Sequence, residues 1–392
     1  MSRKIFVLIS LIVISLITSC AHRPNVSVFT TANQPQKIAL LVPLHGNLAG
    51  SGEAIRNGFL AAYYYSLQHE EADSSVEVID TSQGDVKTLY RKAVSDGSDF
   101  IVGPLTKQNV QAIANQKSLP VTTLALNTVN GSNNINITNF YQFGLSSQDE
   151  ALQIAKRAWK EHPGRALTIA PNNSWGQNMA SVLQNTWQSF QGTVTATLLY
   201  DNQTSLNKQI QHILNIDLSQ NNAKTLRRIL WRKFKFIPRR RQDLDMIFLV
   251  APPKQARQIH PLLQFYFAGD LPMYSTSVIY SGTPQPHLDR DLDGITFCDM
   301  PWVLQGSTSL PKIVPALRNE IFKLWPDSYK RYVRLYALGI DAYYLMLNLN
   351  KLVQHPYGGI TGATGIFYID NYRHIYRQLD WAQMRDGIPY LL

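Results

Sequence analysis

The sequence predicts an α/β fold made of two doubly wound lobes, with a hinge and an interlobe cleft. Short apolar runs alternate with amphipathic helical segments from Lys37 to the end of the chain. This alternation is typical of a parallel sheet that carries helices on both faces. It falls into two series of similar rhythm, and the region is long enough for two lobes of ordinary domain size.

The first series begins at Lys37 with a continuous apolar run that ends at Pro43, as expected of a buried parallel strand. A loop with glycines follows, and then a helix that places Ile55, Phe59 and Ala62 on one face. The remaining predicted elements of this series are strands at 76–79, 100–102 and 121–124, and helices around 89–94 and 107–116.

The second series begins with a helix in which Ser147 and Glu150 have the spacing of a capping box. A long basic helical insert interrupts this series before a strand at 246–251. The other predicted elements are strands at 166–170, 194–200 and 273–275, helices at 179–190 and 254–267, a loop at 281–291, a helix at 331–352, and strands at 366–369 and 375–379.

We expect each lobe to combine two separate segments of the chain. The expected first lobe comprises residues 37–143 and about 276–354, and the expected second lobe comprises residues 144–275 and about 355–392. Open α/β sheets bind ligands at the carboxyl ends of their strands. Two such lobes that face each other would bring these ends together around the cleft.

Residues 1–19 have the features of a bacterial lipoprotein signal peptide. Arg3 and Lys4 form a basic head, and the apolar run after them is shorter than the about 20 residues that span a bilayer. The sequence Ile17-Thr18-Ser19-Cys20 resembles a lipobox. This resemblance implies cleavage before Cys20 and lipidation of that cysteine.

The residue after Cys20 bears on the final location of the protein. Ala21 stands where lipoproteins of the inner membrane usually carry Asp, so the lipobox resemblance implies the outer membrane. A lipid would anchor the protein to the periplasmic face without a membrane-spanning segment. Residues 20–36 are polar, and we expect them to form a flexible lipidated tether.

The chain contains two cysteines, so lipidation of Cys20 would leave Cys298 as the remaining thiol. One cysteine cannot form an internal disulfide, and the fold must therefore be stabilised by its core. Cys298 lies in an apolar strand-like run, which favours a buried and inert thiol.

The formal net charge of +10 is concentrated in one segment. A location outside the cytoplasm argues against a nucleic-acid partner despite this basic character. The segment is either a solvated helix face, or a surface for an acidic partner, or one for anionic lipid or cell wall. Its basic residues are Lys224, Arg227, Arg228, Arg232, Lys233, Lys235, Arg239, Arg240 and Arg241.

Two catalytic or metal-binding motifs are incomplete in this sequence. Asp289, Asp291 and Asp293 begin like a calcium loop, but the twelfth position, which needs a bidentate Glu, is Met300. Ser205 and Lys208 have the spacing of an acyl-transfer nucleophile, but the companion Lys-Thr-Gly sequence is absent from the chain. We therefore predict no catalytic residues, no metal ion and no cofactor.

Longer stretches of the sequence resemble the penicillin-binding protein activators of the LpoA (LppC) family. The resemblance extends over essentially all of residues 37–392 and keeps the family order. The stretches that carry it are Leu41-Val42-Pro43-Leu44, Ala54-Ile55-Arg56-Asn57-Gly58-Phe59, Val102-Gly103-Pro104-Leu105, Pro238-Arg239-Arg240-Arg241, Phe297-Cys298-Asp299-Met300-Pro301-Trp302, Arg334-Leu335-Tyr336-Ala337 and Gly362-Ala363-Thr364-Gly365.

This resemblance implies a type I periplasmic-binding-protein-like fold and a regulatory role without catalysis. Members of the family bind a class A penicillin-binding protein, which is a peptidoglycan synthase, and stimulate its transpeptidation. Better-known members also carry a helical-repeat domain before this module, whereas here the α/β region is expected to follow Cys20 after a short tether. The alternative hypothesis is a solute-binding lipoprotein for an amino acid or a cell-wall fragment.

Two sets of candidate site residues follow from these predictions. The cleft would bind peptidoglycan or a small ligand, unless its loops serve only to turn the chain. The candidate cleft residues are Leu44, Gly46, Ser51, Gly103, Pro104, Leu105, Asn127, Asn172, Ser174, Trp175, Tyr274, Ser275 and Thr276, and the candidate partner surface consists of Arg227, Arg228, Arg232, Arg239, Arg240, Arg241 and Trp302.

Overall fold

The computed structural model describes residues 35–69, 74–129, 137–201, 205–232, 234–304, 306–307 and 310–392. The predicted signal peptide, Cys20 and nearly all of the predicted tether lie outside these ranges, as does Lys233. Within them, we find no helix that combines the length and the apolar character needed to cross a membrane.

Strands and helices alternate along the described chain. The strands are β1 (Lys37–Val42), β2 (Ser75–Asp80), β3 (Phe100–Val102), β4 (Thr122–Ala125), β5 (Phe140–Phe143), β6 (Arg165–Pro171), β7 (Thr193–Tyr200), β8 (Met246–Leu249), β9 (Met273–Ser275), β10 (Thr296–Asp299), β11 (Ile360–Thr361), β12 (Ile366–Ile369), β13 (His374–Gln378), β14 (Asp380–Arg385) and β15 (Ile388–Leu391). The α-helices are α1 (Ala49–Gln68), α2 (Val86–Ser95), α3 (Lys107–Ala114), α4 (Ser147–Glu161), α5 (Ser174–Ser189), α6 (Leu206–Ile213), α7 (Ile216–Leu230), α8 (Pro253–Phe265), α9 (Pro286–Asp289), α10 (Val314–Leu324) and α11 (Pro326–Gln354).

Polar side chains at the turns before several helices determine where those helices begin. Asp85 accepts a hydrogen bond from the Thr88 amide (3.0 Å) at the start of α2. Asn173 accepts one from the Gly176 amide (2.8 Å) at the start of α5. Such caps satisfy amide groups that have no partner within the helix. The helices therefore start directly after the strands, and the connections stay short.

The strands form two sheets. The first has eight strands in the order β11-β12-β13-β5-β4-β3-β1-β2, and the second has seven in the order β15-β14-β10-β9-β8-β6-β7. The central strands of both sheets pair in parallel, whereas the C-terminal strands add antiparallel pairs at one edge of each sheet. The α/β class and the two-lobed, doubly wound architecture predicted from the sequence are confirmed.

Sheet membership differs from the expected division of the lobes at two places. The segment 276–354, expected in the first lobe, contains β10, which pairs with β9 of the second sheet. The segment 355–392, expected in the second lobe, contains β13, which pairs in parallel with β5 of the first sheet. The sequence pattern marks these residues as strands, but the neighbour of each strand is determined by long-range packing.

The two lobes are connected by three crossings in the described chain. Residues 144–164 lead from β5 to β6, residues 300–359 lead from β10 to β11, and Leu379 joins β13 to β14. Three neighbouring crossings constrain how the lobes move relative to each other, and such connections are the usual hinges of two-lobed proteins.

The longest helix, α11, packs on α1 of the first lobe. A Cβ atom on Gly58 would lie 2.2 Å from the Tyr336 carbonyl oxygen, and one on Gly339 would lie 2.2 Å from the Ile55 carbonyl oxygen. The helices therefore approach backbone to backbone, which these glycines alone permit at the crossing. Tyr332 has non-helical dihedral angles and marks a kink before this contact.

Candidate functional site

A cavity of about 350 Å³ lies between the two lobes. Strands β6, β9 and β10 of the second sheet end at this side, and the residues that follow them form one wall. Helices α4 and α11 contribute the other wall. The lining residues are Leu145, Ser147, Glu150, Trp175, Thr276, Ser277, Val278, Met300 and Arg334.

Helix α4 begins at the cavity. Its cap is Ser146, whose hydroxyl accepts a hydrogen bond from the Asp149 amide at 3.2 Å. The predicted capping box of Ser147 and Glu150 is therefore shifted by one residue. As a consequence, the Glu150 side chain does not return to the start of its own helix and is available for contacts with the second lobe.

Glu150 joins the two lobes through its carboxylate. Oε2 accepts hydrogen bonds from the Ser277 hydroxyl (2.7 Å) and the Ser277 amide (3.2 Å), directly after β9 of the second sheet. Oε1 lies 3.7 Å from a guanidinium nitrogen of Arg377, on β13 of the first sheet. Burial raises the pKa of Glu150, and the Arg377 charge opposes this rise.

Arg334 of α11 makes a second connection between the lobes. Its Nε donates to Asp299 Oδ1 at 3.0 Å, and its Nη2 donates to Asp299 Oδ2 and to the carbonyl oxygens of Ser277 (3.1 Å) and Tyr280 (2.9 Å). Its Nη1 has no hydrogen-bond partner among the described residues. Arg334 is the one cationic residue among those that line the cavity, and a guanidinium group can bind an anionic group of a ligand.

A buried carboxylate supports the loop beside this network. Asp341 of α11 accepts hydrogen bonds from the amides of Ala363 (2.7 Å) and Thr364 (2.6 Å). Burial raises the pKa of Asp341 to about 6, although these hydrogen bonds act in the opposite direction. Arg377 donates to the Thr364 carbonyl oxygen at 3.3 Å. The loop before β12 is thereby connected to the ion pair of Glu150 and Arg377.

The candidate cleft residues occupy three different environments. Trp175 and Thr276 line the cavity, and Asn172 and Ser174 lie next to Trp175 in the chain. Tyr274 and Ser275 are buried; the first donates to Glu161 and the second to the Leu249 carbonyl oxygen, both at 2.5 Å. The others follow strands of the first sheet and are not among the residues that line the cavity: Leu44, Gly46, Ser51, Gly103, Pro104, Leu105 and Asn127.

Sequence reasoning missed most of the cavity wall. The capping pattern around Ser147 could have indicated part of it, since a helix start often faces a site in this kind of fold. Arg334 has no such signal, because it lies within a long helix and reaches the cavity only through the packing of α11. The missed residues are Leu145, Ser147, Glu150, Ser277, Val278, Met300 and Arg334.

The candidate partner surface divides into exposed and structural residues. Arg240 is only 9% exposed in its side chain; it pairs with Asp270 and donates to the Phe267 carbonyl oxygen at 2.6 Å. Arg241 forms two hydrogen bonds of 2.7 Å with Asp243. These two arginines stabilise the fold and are not available as a free basic surface. The exposed candidates are Arg227, Arg228, Arg232 and Arg239.

Trp302, a candidate for the partner surface, is buried, with 1% of its surface exposed, and is therefore not available on that surface. Its ring packs near Tyr329, with ring centroids 6.2 Å apart, and its carbonyl oxygen accepts a hydrogen bond from Arg318. The sequence reasoning missed a different aromatic residue. Trp231, at the end of α7, is 92% exposed.

Two aspartates of the incomplete calcium motif have structural roles, and the remaining thiol is buried. Asp289 is buried and accepts a 2.7 Å hydrogen bond from Arg257, and Asp293 accepts one of 2.8 Å from the Gly387 amide. Cys298 is buried, and burial raises the pKa of its thiol well above the ordinary value. No cluster of His, Cys, Asp and Glu suited to a metal ion occurs within the described ranges.

Comparisons with known proteins identify relatives of the whole module. The family described as "LppC putative lipoprotein" matches residues 26–387. The penicillin-binding protein activator LpoA of Vibrio cholerae serotype O1 is 28% identical over 357 residues, a match that covers 89% of this chain and 57% of the relative. The chain therefore spans little more than half the length of this curated relative.

Solved structures show the same fold. The C-domain of LpoA (YraM) from Haemophilus influenzae, described as a regulator of PBP1A, has a TM-score of 0.67 and 25% identity; the match covers 91% of this chain and all of that domain. A solute-binding protein of an ABC transporter from R. palustris, in complex with 4-hydroxybenzoate, has a TM-score of 0.55 and 16% identity, covering 91% and 95% of the two chains. At 16% identity, the latter match shows only that the two chains share a periplasmic-binding-protein-like fold.

The family match extends over nearly the whole described chain and includes both lobes. It implies an envelope lipoprotein. The chain belongs to the LppC lipoprotein family.

Proposed function

We propose that this chain is a non-enzymatic regulator that binds a class A penicillin-binding protein in the periplasm and activates its transpeptidation. The observation that carries the proposal is the match to the whole H. influenzae C-domain, whose description names it a regulator of PBP1A. The V. cholerae relative, named a penicillin-binding protein activator, supports the same function.

Activation by binding has a simple thermodynamic requirement. The chain must bind the competent state of the synthase more tightly than the idle state, and the difference in affinity sets the size of the activation. No group on the activator needs to take part in the reaction. This agrees with a site in which Glu150, Arg334 and Asp299 are engaged in contacts between the lobes.

The binding step can be tested with the full-length lipoprotein in detergent micelles and each class A synthase of the same organism. We expect saturable binding to at least one synthase, with no binding to a class B penicillin-binding protein as the control. Failure to bind any class A synthase would contradict the proposed function.

The outer membrane is the proposed location, through a lipid on Cys20. Lipobox residues 17–20 and Ala21 support this assignment. We expect incorporation of radiolabelled palmitate and recovery in the outer-membrane fraction, both abolished by Cys20→Ala. Recovery of the unmodified chain in the inner-membrane fraction would contradict it.

The interlobe cavity favours a second candidate function, the binding of a small solute such as an amino acid or a cell-wall fragment. Its volume of about 350 Å³ is in the range of small-molecule sites, and Arg334 and Thr276 provide polar groups beside apolar Trp175 and Met300. A thermal-shift screen with amino acids and muropeptides tests this function. An increase in Tm that Arg334→Met abolishes would support it, and an unchanged Tm with every compound would eliminate it.

A further inference from the structure

The basic segment that begins at α7 is the densest concentration of positive charge in the second lobe, with nine of the 37 lysines and arginines of the chain. From Leu218 to Gln242 the sequence contains nine lysines and arginines and no acidic residue, in a chain whose net charge is +10. Among the described residues, Arg227, Arg228 and Arg232 form no ion pair, in contrast to Arg240 and Arg241. Their charges are therefore uncompensated on the surface of the second lobe.

Helix α7 also exposes apolar side chains next to these charges. Its buried residues are Ile216 and Ala223. Leu226, Ile229 and Leu230 are exposed, and their spacing of three and four residues places them on one face of the helix. Trp231 follows directly.

The chain after Trp231 returns alongside α7 and supports this surface. The Arg239 amide donates to the Ser219 hydroxyl at 3.1 Å, near the start of the helix. The Arg227 guanidinium lies 5.3 Å from the centre of the Phe234 ring. The exposed side chains of α7 are thus presented by a packed element. We name Leu226, Ile229, Leu230 and Trp231, with Arg227, Arg228 and Arg232, the α7 surface.

Neighbouring exposed apolar residues of this size mark interaction sites, because an isolated protein gains nothing by leaving them in water. Tryptophan and arginine are the residues most enriched among those that dominate binding energies. The unpaired arginines select a partner whose matching surface is acidic.

A protein partner fits these observations better than a bilayer. A helix that lies in a membrane interface presents apolar residues along its whole length. In α7 three of the four exposed apolar residues lie near the C-terminal end and only Leu218 lies in the first turn, whereas Gln220, Asn221, Asn222 and Thr225 occupy the middle of the helix. A localised aromatic anchor with a basic rim is typical of a protein–protein contact.

We propose that the α7 surface is the docking site for the synthase: Trp231 enters an apolar recess, and Arg227, Arg228 and Arg232 face acidic side chains around it. This proposal rests on the proposed function and specifies which surface of the chain performs it. The apolar anchor would mainly determine how slowly the complex dissociates, and the arginines how fast it forms.

The test measures association and dissociation of the synthase with the full-length lipoprotein and four variants. We expect Trp231→Ala to weaken the affinity by at least about tenfold, mainly through faster dissociation. We expect the double variant Arg227→Glu/Arg228→Glu to slow association and to make it less sensitive to salt. The matched control for charge is Lys107→Glu/Lys117→Glu, on exposed positions of the first lobe, and it should bind as the parent does.

Tyr357→Ala removes another highly exposed aromatic side chain and is the control for Trp231→Ala. If the parent binds the synthase and all variants bind equally well, the α7 surface is not the docking site and the proposed function stands. If the parent binds no synthase, both proposals fail together. A third outcome would also overturn the proposal: Trp231→Ala would bind the synthase as the parent does but would lose binding to phosphatidylglycerol vesicles. The α7 surface would then contact a membrane and not a protein.

Discussion

Asp341 illustrates how single buried residues stabilise the hinge region of this fold. Its side chain is fully buried and each carboxylate oxygen accepts one backbone amide, from Ala363 and from Thr364. The contacts fix the loop between β11 and β12 against α11. Burial of the carboxylate nevertheless opposes its ionisation, and the pKa rises from 3.8 to about 6.

The raised pKa of Asp341 predicts a pH-dependent contribution to stability. The folded state binds the proton more tightly than the unfolded state, so the contribution is favourable below pH 4 and is lost as the pH rises through about 6. Each pKa unit corresponds to about 1.4 kcal/mol, which limits the loss to about 3 kcal/mol. Urea unfolding at pH 4 and pH 7 should show this difference between the parent and Asp341→Asn.

The comparison of the parent with Asp341→Asn isolates the titration of Asp341, because Glu150 and the other acidic groups are present in both. The stability of the parent relative to Asp341→Asn should fall between pH 4 and pH 7. A relative stability that stays constant over this range would show that Asp341 does not titrate as stated.

The pair of Glu150 and Arg377 predicts a non-additive effect. Arg377→Ala leaves the Glu150 carboxylate buried without its counter-charge, and we expect a loss of about 3–5 kcal/mol in the free energy of unfolding. Glu150→Gln added to Arg377→Ala should recover part of that loss, since a neutral amide needs no counter-charge. Chemical unfolding of the two single variants and the double variant provides the measurement.

Arg385→Ala is the control for this prediction, because Arg385 is an exposed arginine on the neighbouring strand β14. It should change the stability by no more than about 0.5 kcal/mol. Strictly additive effects of the Glu150 and Arg377 substitutions would show that the two charges do not interact.

At the scale of elements, the contact between α1 and α11 depends on close approach of two backbones. Gly58 and Gly339 each lie against a carbonyl oxygen of the opposite helix. Phe59 and Tyr343 pack beside them edge to face, with ring centroids 5.3 Å apart. The glycines are therefore required by packing, despite the lower helix propensity of glycine.

Gly339→Ala tests this close contact. Alanine favours helix by up to about 1 kcal/mol relative to glycine, but its Cβ would lie 2.2 Å from the Ile55 carbonyl oxygen and would force the helices apart. We expect a net loss of about 1–3 kcal/mol, measured as a lower midpoint of urea unfolding. Gly84→Ala, with its nearest neighbour atom 3.9 Å away, should leave the midpoint nearly unchanged. A stabilised Gly339→Ala variant would contradict the packing argument.

Most elements could be predicted from the sequence because their apolar periodicity is local. The buried run at β1 and the helix within α11 are examples, since each carries its pattern within one segment. The pairing of β13 with β5 was not predictable, because residues 374–378 would form a similar strand beside several neighbours. The pairing of Arg240 with Asp270 was missed for the same reason, since the two residues lie 30 positions apart.

At the scale of the whole molecule, the cavity wall combines residues from five separate parts of the chain. Trp175 and Thr276 could be predicted as cleft residues, because ligands of open α/β sheets bind at the carboxyl ends of the strands and only the strand positions are needed to locate those ends. Glu150 and Arg334 reach the same cavity through the crossing segments that connect the lobes. Their position could not follow from any local pattern, since it requires the relative placement of both sheets.

The contacts between the lobes favour one arrangement of the whole module. Glu150 contacts Arg377 of the first sheet and Ser277 beside the second, and Arg334 of α11 pairs with Asp299 of the second sheet. Buried polar contacts of this kind tend to favour one arrangement over intermediate ones. These contacts favour the arrangement of the two lobes in this structure. A rigid activator can select one state of its partner without a change in its own shape.

The initial rate of peptide crosslinking by the class A synthase, measured against increasing concentrations of the full-length lipoprotein, tests the central claim most directly. The account predicts a rate that rises to a plateau, with half-maximal stimulation near the Kd of the complex. Binding that leaves the crosslinking rate unchanged over the whole concentration range would contradict the claim that this chain is an activator.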